Sequence, residues 1–181
     1  MPGTCRPIIT EPNPVLRRRS EEVLASSIPS AEIRKVIADL KATLAQSEDG
    51  IGIAAPQIGI SLRIFVVSEE AKFVDRRSST AKEVKKNWEP YVYINPEIKK
   101  FSVKKSESIE GCLSLPGKFG IVSRPDKISI EALDEHGQKI HHGASKFFAR
   151  VLQHEMDHLN GILFIDKATR FVNVAKNNDR L

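Results

Sequence analysis

Apolar residues fall at helical spacing near both ends of this chain and at strand spacing between them. From Ser30 to Gln46, Ile33, Val36, Ile37, Leu40 and Leu44 lie on one stripe, with Ser30 in the place of an N-cap. Gly50 and Gly52 end that run. Leu62 to Val67 is a continuous β-rich apolar run and reads as a largely buried strand. Tyr91 to Asn95 reads as another strand, stopped by Pro96. Lys127 to Leu133 alternates, with Ile128, Ile130 and Ala132 on one face and Lys127, Ser129 and Glu131 on the other. The polar turn Asp134-Glu135-His136-Gly137 and a returning strand at Gln138 to His142 complete a hairpin. A second helix is expected from Lys146 to Leu159, with Ser145 as its cap and Asn160-Gly161 as its end. Glu69 to Glu89 is charged and aperiodic and reads as a surface loop or insertion, and residues 167–181 form a short tail. Helix, then strands, then one late helix, without βαβ alternation, is an α+β pattern.

A chain of 181 residues suits one domain, 1–181. No apolar run is long enough to span a bilayer, and the proline-rich start lacks the apolar region of a secretory signal. Two cysteines, Cys5 and Cys112, cannot build a disulfide framework and point to a reducing, cytoplasmic setting. The net charge of +5 permits a polyanionic partner. However, the basic residues are interleaved with acids, and the runs Arg17-Arg18-Arg19 and Lys99 to Lys105 are short, as on a solvated basic surface. No nucleic-acid-binding motif is present, so DNA binding is not expected. His136, His141 and His142 are expected to face solvent, and Trp88 receives no role.

The chemistry concentrates in His154-Glu155-Met156-Asp157-His158. Two imidazoles at i and i+4 stack on one helix face and can grip one divalent cation, while Glu155 can reach a water held by it. At about 100° per residue, both histidines and Glu155 fall in the same arc as Phe147, Phe148, Val151, Leu152 and Leu159. Ala149, Arg150, Gln153, Met156 and Asp157 take the opposite side. Two core histidines bonded to carbonyls would be the bland reading, but the spacing and the intervening Glu favour metal.

A catalytic site of this kind has three protein ligands and an open position. In the extended H-E-x-x-H-x-x-G-x-x-H form Gly161 fits, but Phe164 stands where the third His belongs. No Glu follows Glu155. Cys112, in Glu110-Gly111-Cys112-Leu113-Ser114, offers a thiolate instead. A nucleophilic thiol with a His base is a competing reading, though it leaves the second His and Glu155 without work.

Gly50-Ile51-Gly52-Ile53-Ala54-Ala55-Pro56-Gln57 formally contains a dinucleotide-binding pattern, but a helical pattern precedes it and Pro56 would interrupt the next helix. Small residues here suit backbone laid against an extended ligand, with Gln57 as a neutral amide donor for an oxyanion. A tightly packed core corner explains the same residues equally well.

Together these three segments, in this order, resemble peptide deformylase, and the resemblance runs from about Pro7 to Ile165. Asn13-Pro14-Val15-Leu16-Arg17 and Tyr93-Ile94-Asn95-Pro96 are lesser matches. The resemblance implies small antiparallel or mixed sheets around a central helix in the C-terminal half, with the N-terminal helix outside. It implies hydrolytic removal of the N-formyl group from the initiator methionine of nascent chains, releasing formate. Cys112, His154 and His158 would hold one divalent ion, with Fe²⁺ favoured in the cell and Zn²⁺, Ni²⁺ or Co²⁺ able to replace it. Glu155 would act as general base and then acid on the metal-held water, and Gln57 with the Leu113 N–H would stabilise the oxyanion. Ile51, Phe147 and Val151 match the lining of the methionine pocket, and the peptide would pair along Gly52 and Gly111. Glu110 and Arg124 match an ion pair steadying the Cys112 loop, although a plain surface pair fits as well. A transient ribosome contact is implied. A metallopeptidase and a metal-stabilised RNA- or ribosome-binding module are the competing functions.

Overall fold

A computed structural model describes residues 2–47, 49–74 and 89–173. Helix α1, Ala31–Gln46, begins as its sequence predicts: Ser30 Oγ accepts from the Ile33 N–H at 3.2 Å. Its apolar stripe is buried against strands β1, Gly52–Ala54, and β2, Ile64–Ser68. Asp39 and Thr43 are buried with that stripe, which the hydrophobic pattern did not indicate. They receive the N-terminal segment: the Thr4 N–H donates to Asp39 Oδ1 at 2.7 Å and the Arg6 N–H to Thr43 Oγ1 at 2.9 Å.

The remaining strands are β3, Pro90–Phe101, β4, Lys105–Gly111, β5, Phe119–Pro125, β6, Lys127–Leu133, β7, Lys139–Ser145, and β8, Ala168–Val172. They form a five-stranded antiparallel sheet in the order β1-β2-β3-β6-β7 and a three-stranded antiparallel sheet in the order β4-β5-β8. Strand β2 lies between β1 and β3 with Ile64 to Val67 fully buried, as its unbroken apolar run requires. The expected hairpin is β6–β7. Helix α2, Lys146–Leu159, touches strands of both sheets and packs between them. The molecule is α+β with this helix at its centre, and no helix among the described residues is long and apolar enough to cross a membrane.

Two expectations need correction. Pro96 does not stop β3: the strand continues through a register shift between Ile94 and Glu97, where Asn95 takes φ +49°. An irregularity of this kind tolerates a residue without an N–H, and the Asn95 side chain secures it by bonding both the N–H and the carbonyl of Val23. Ser145 stands at the N-cap of α2 but makes no side-chain cap bond. The side of α2 opposite its apolar arc is buried too, with Arg150, Gln153 and Asp157 all under a tenth exposed, because the second sheet covers it. The Glu69–Glu89 stretch begins with a turn, Glu69–Lys72, packed on α2 with Ala71 buried; residues 75–88, including Trp88, lie outside the described residues. In the tail, β8 is an ordered edge strand of the three-stranded sheet.

Candidate metal centre

Helix α2 carries His154, Glu155 and His158 at the centre of the molecule, and the end of β4 delivers Cys112 to them. The donor atoms of Cys112, His154 and His158 all lie within 4.8 Å of one another, with Cys112 Sγ 3.2 Å from His158 Nε2. His154 presents its other nitrogen to a carboxylate: Nδ1 is 3.0 Å from Glu110 Oε2, which leaves Nε2 for the site. Glu155 is buried beside them, and its Oε2 has no protein partner. A thiolate and two imidazoles suit a divalent ion of borderline softness, and an unpartnered buried carboxylate oxygen next to them needs a polar occupant. The residues therefore fit a metal with its water.

Beneath His154 the ion pair between Glu110 and Arg124 is deeply buried, not superficial. Arg124 Nε and Nη2 donate to the two Glu110 oxygens at 2.6 and 2.8 Å, and Arg150 Nη1 donates to Glu110 Oε1 at 2.7 Å. Arg124 Nη1 continues to Asp157 Oδ2 at 2.8 Å, and Asp157 Oδ1 meets Lys167 Nζ at 2.6 Å. Sequence reasoning passed over Arg150, Asp157 and Lys167. Charged residues at buried helical positions were the available signal, and it required knowing that α2 is covered on both sides.

Electrostatics follow from this burial. Desolvation works to raise the Glu110 pKa, but hydrogen bonds from Arg124 and His154 outweigh it and hold the carboxyl well below the usual range. For His154, desolvation pulls downward and is outweighed by Cys112 and Glu110, raising the imidazole to about 10. Burial keeps His158 neutral, far below its ordinary value, and lifts Glu155 to about 7.

The Gly-rich segment forms the opposite wall. Gly52 lies on β1, at the edge of its sheet, and a Cβ there would stand 2.6 Å from Glu155 Oε1. Gly111 ends β4, an edge of the other sheet. Gln57 Oε1 accepts from the Ala54 N–H at 2.8 Å, which turns Nε2 toward Ser114 Oγ at 3.2 Å and Cys112 Sγ at 3.6 Å. The Leu113 N–H has no protein acceptor among the described residues. Ile51, Phe147 and Val151 border one apolar cluster. The N-terminal segment joins the two walls: the Ile9 N–H donates to the Gln57 carbonyl at 2.8 Å and the Glu11 N–H to that of Ser114 at 3.1 Å. Of the hairpin histidines, His142 departs from expectation. It is half-buried, with Nε2 2.9 Å from the Tyr93 hydroxyl and its ring stacked on Phe148, because β7 lies against the start of α2.

The polypeptide deformylase family model matches residues 5–174. The chain belongs to that family. Peptide deformylase 2 of Nostoc sp. is 40% identical over 92% of this chain and 88% of its own length. A peptide deformylase of Pseudothermotoga lettingae is 40% identical over 85% of this chain and 77% of its own. The crystal structure of the class I type b peptide deformylase of Acinetobacter baumannii bound to Met-Ala-Ser is similar at 32% identity. Its TM-score is 0.76, over 91% of this chain and 98% of that one. As a peptide deformylase the chain is a metal-dependent hydrolase that removes the formyl group from N-formylmethionyl peptides.

Proposed function

We propose that the reaction runs between two edges, β1 and β4, with Cys112, His154 and His158 holding the ion. The observation that carries this is their convergence within 4.8 Å beside a buried, half-unpartnered Glu155. A divalent ion supplies Lewis-acid polarisation of the formyl oxygen and brings the pKa of a bound water toward neutrality. Glu155 takes a proton from the attacking water and returns it to the departing amine. A carboxyl lifted by burial to about 7 is suited to both transfers. Gln57 Nε2 and the Leu113 N–H donate to the oxyanion that develops on the formyl oxygen. Glu110 fixes His154 so that Nε2 faces the ion.

The methionine side chain is accommodated by Ile51, Phe147 and Val151, whose shared apolar cluster suits a thioether. The peptide backbone pairs along Gly52 and Gly111, which stand on sheet edges and leave main-chain room. The Met-Ala-Ser ligand of the Acinetobacter relative is a tripeptide of the same chemistry as a deformylated product. The cellular ion is Fe²⁺, consistent with one thiolate and two imidazoles, with Zn²⁺, Ni²⁺ or Co²⁺ able to occupy the same donors. The substrates are nascent chains in the cytoplasm, where a transient ribosome contact brings enzyme and substrate together; unpaired Cys5 and Cys112 accord with a reducing compartment. The reaction calls for neither a membrane nor DNA.

The test is formate release from N-formyl-Met-Ala, measured with and without a chelator. Activity that is lost on chelation and restored by Fe²⁺ supports the assignment. Chelator-resistant activity abolished by thiol alkylation would replace it with a cysteine-nucleophile mechanism.

A further inference from the structure

The two faces of the three-stranded sheet differ in what covers them. By register Glu110, Gly120, Val122 and Arg124 share one face, and all are buried. Glu110 and Arg124 bond there to Arg150, His154 and Asp157 of α2. The opposite face carries Glu107, Ile109 and Gly111 on β4, paired with Ser123, Ile121 and Phe119 on β5, and then Arg170 and Val172 on β8. Glu107, Gly111, Ser123 and Arg170 are exposed, Ile109 is 53% exposed, and Phe119, Ile121 and Val172 are half-buried. Ile109, Phe119, Ile121 and Val172 therefore meet solvent at adjacent cross-strand positions, with an acid, Glu107, and a base, Arg170, beside them.

At the end of β4 the Phe119 ring lies over Gly111. A Cβ on Gly111 would stand 2.8 Å from Phe119 Cε1 and 3.0 Å from Cδ1, so a glycine there is what leaves room for the ring. Strand β4 is an edge of its sheet. Ile109, two residues before Gly111 on the same face, and the ring over Gly111 are thus presented together beside that edge.

We propose that Ile109 and Phe119 seat the residue that follows methionine in the substrate and favour an apolar side chain there. The inference rests on the pairing of the peptide along Gly111. Successive side chains of an extended chain point to opposite sides. With methionine turned toward Phe147 and Val151 on α2, the next side chain turns away from α2 and onto the open face beside Gly111. A residue laid against Gly111 finds no side chain on its direct neighbour. It meets instead the Phe119 ring, with Ile109 diagonal to it and within reach of a leucine or a phenylalanine. The seat is open to solvent, so it grades substrates without excluding any.

The test uses the full, metal-loaded chain and the peptides N-formyl-Met-Xaa-Ser with Leu, Phe, Ala or Lys in the second place, formate release giving kcat/KM for each. Leu and Phe should exceed Ala by about three- to tenfold, the range for a side chain half covered on binding. In Ile109→Glu the ratio of Leu to Lys should fall about fivefold or more, through lost apolar contact and a new ion pair. Each ratio is taken on one preparation, so a partly misfolded variant still reports it. Equal values for all second residues in the wild type, or an unchanged ratio in Ile109→Glu, would overturn the proposal. N-formyl-Ala-Leu-Ser separates the seat from the reading beneath it. If that peptide reacts as well as N-formyl-Met-Leu-Ser, the methionine pocket and the pairing fall with the seat; if it reacts poorly while the second position is not distinguished, the seat alone falls.

Discussion

The Glu155 carboxylate occupies the space that a side chain on Gly52 would need, with Oε1 only 2.6 Å from where a Cβ would be built. Backbone at position 52 and the proposed general base are therefore fitted to one another. In Gly52→Ala the buried carboxylate must turn aside, and misplacing a general base costs roughly 10²-fold or more in rate. We expect kcat to fall by that order while metal content stays at wild type. Full activity in the alanine variant would show that Glu155 does not act from its observed position.

Glu110 holds two arginines and one imidazole in a buried site. Glu110→Gln leaves those groups without their countercharge, a change that costs roughly 3–5 kcal/mol of stability. Loss of the carboxylate behind His154 should also weaken metal binding about 10–100-fold. The acid dependence has a definite sign. A carboxyl held below its ordinary value of 4.5 contributes stability that is fully present above that pH and is lost as pH falls toward the native-state value. Thermal melting from neutral pH to strongly acid pH should therefore show this loss in the wild type and a shallower loss in Glu110→Gln.

In metal-free protein His154 is raised to about 10, so it is cationic at neutral pH, yet a ligand imidazole must be neutral. Metal uptake must expel that proton. Between pH 7 and pH 9, affinity for Zn²⁺ should rise about tenfold per pH unit for this one proton. Proton release on mixing, read with a pH indicator in weak buffer, checks the same step. Affinity independent of pH across that window would mean that His154 is already neutral or is not a ligand.

The strap from Thr4 to Glu11 ties α1 to the Gln57 and Ser114 carbonyls. Its anchor is Asp39, buried and bonded by Lys35 and by the Thr4 N–H. Asp39→Ala strands a buried donor, which costs about 1–3 kcal/mol. We expect a lower melting temperature and a fall in kcat, with metal content unchanged, because Gln57 loses its fixed approach to the oxyanion. A variant that is less stable but catalytically normal would make the strap purely structural.

Much of this was legible in the chain because local rules decided it. Ser30 capped α1, β6 alternated on the period of its pleat, and His154 with His158 lay on one face of α2 whatever the surroundings. Cys112 was reachable by asking which residue could complete two histidines. What stayed hidden depended on coverage. The burial of Arg150 and Asp157 did not show because a single helix shows one apolar arc, and nothing in that arc reveals a second sheet on its far side. Pro96 read as a stop because a bulge that tolerates proline is set by the Asn95–Val23 contact, seventy-two residues apart in sequence.

X-ray absorption on the metal-loaded protein tests the central claim directly. One sulfur at about 2.3 Å and two imidazole nitrogens at about 2.0–2.1 Å are expected for a zinc-loaded sample. The sulfur should vanish in Cys112→Ser. A nearest shell without sulfur in the wild type would contradict the account.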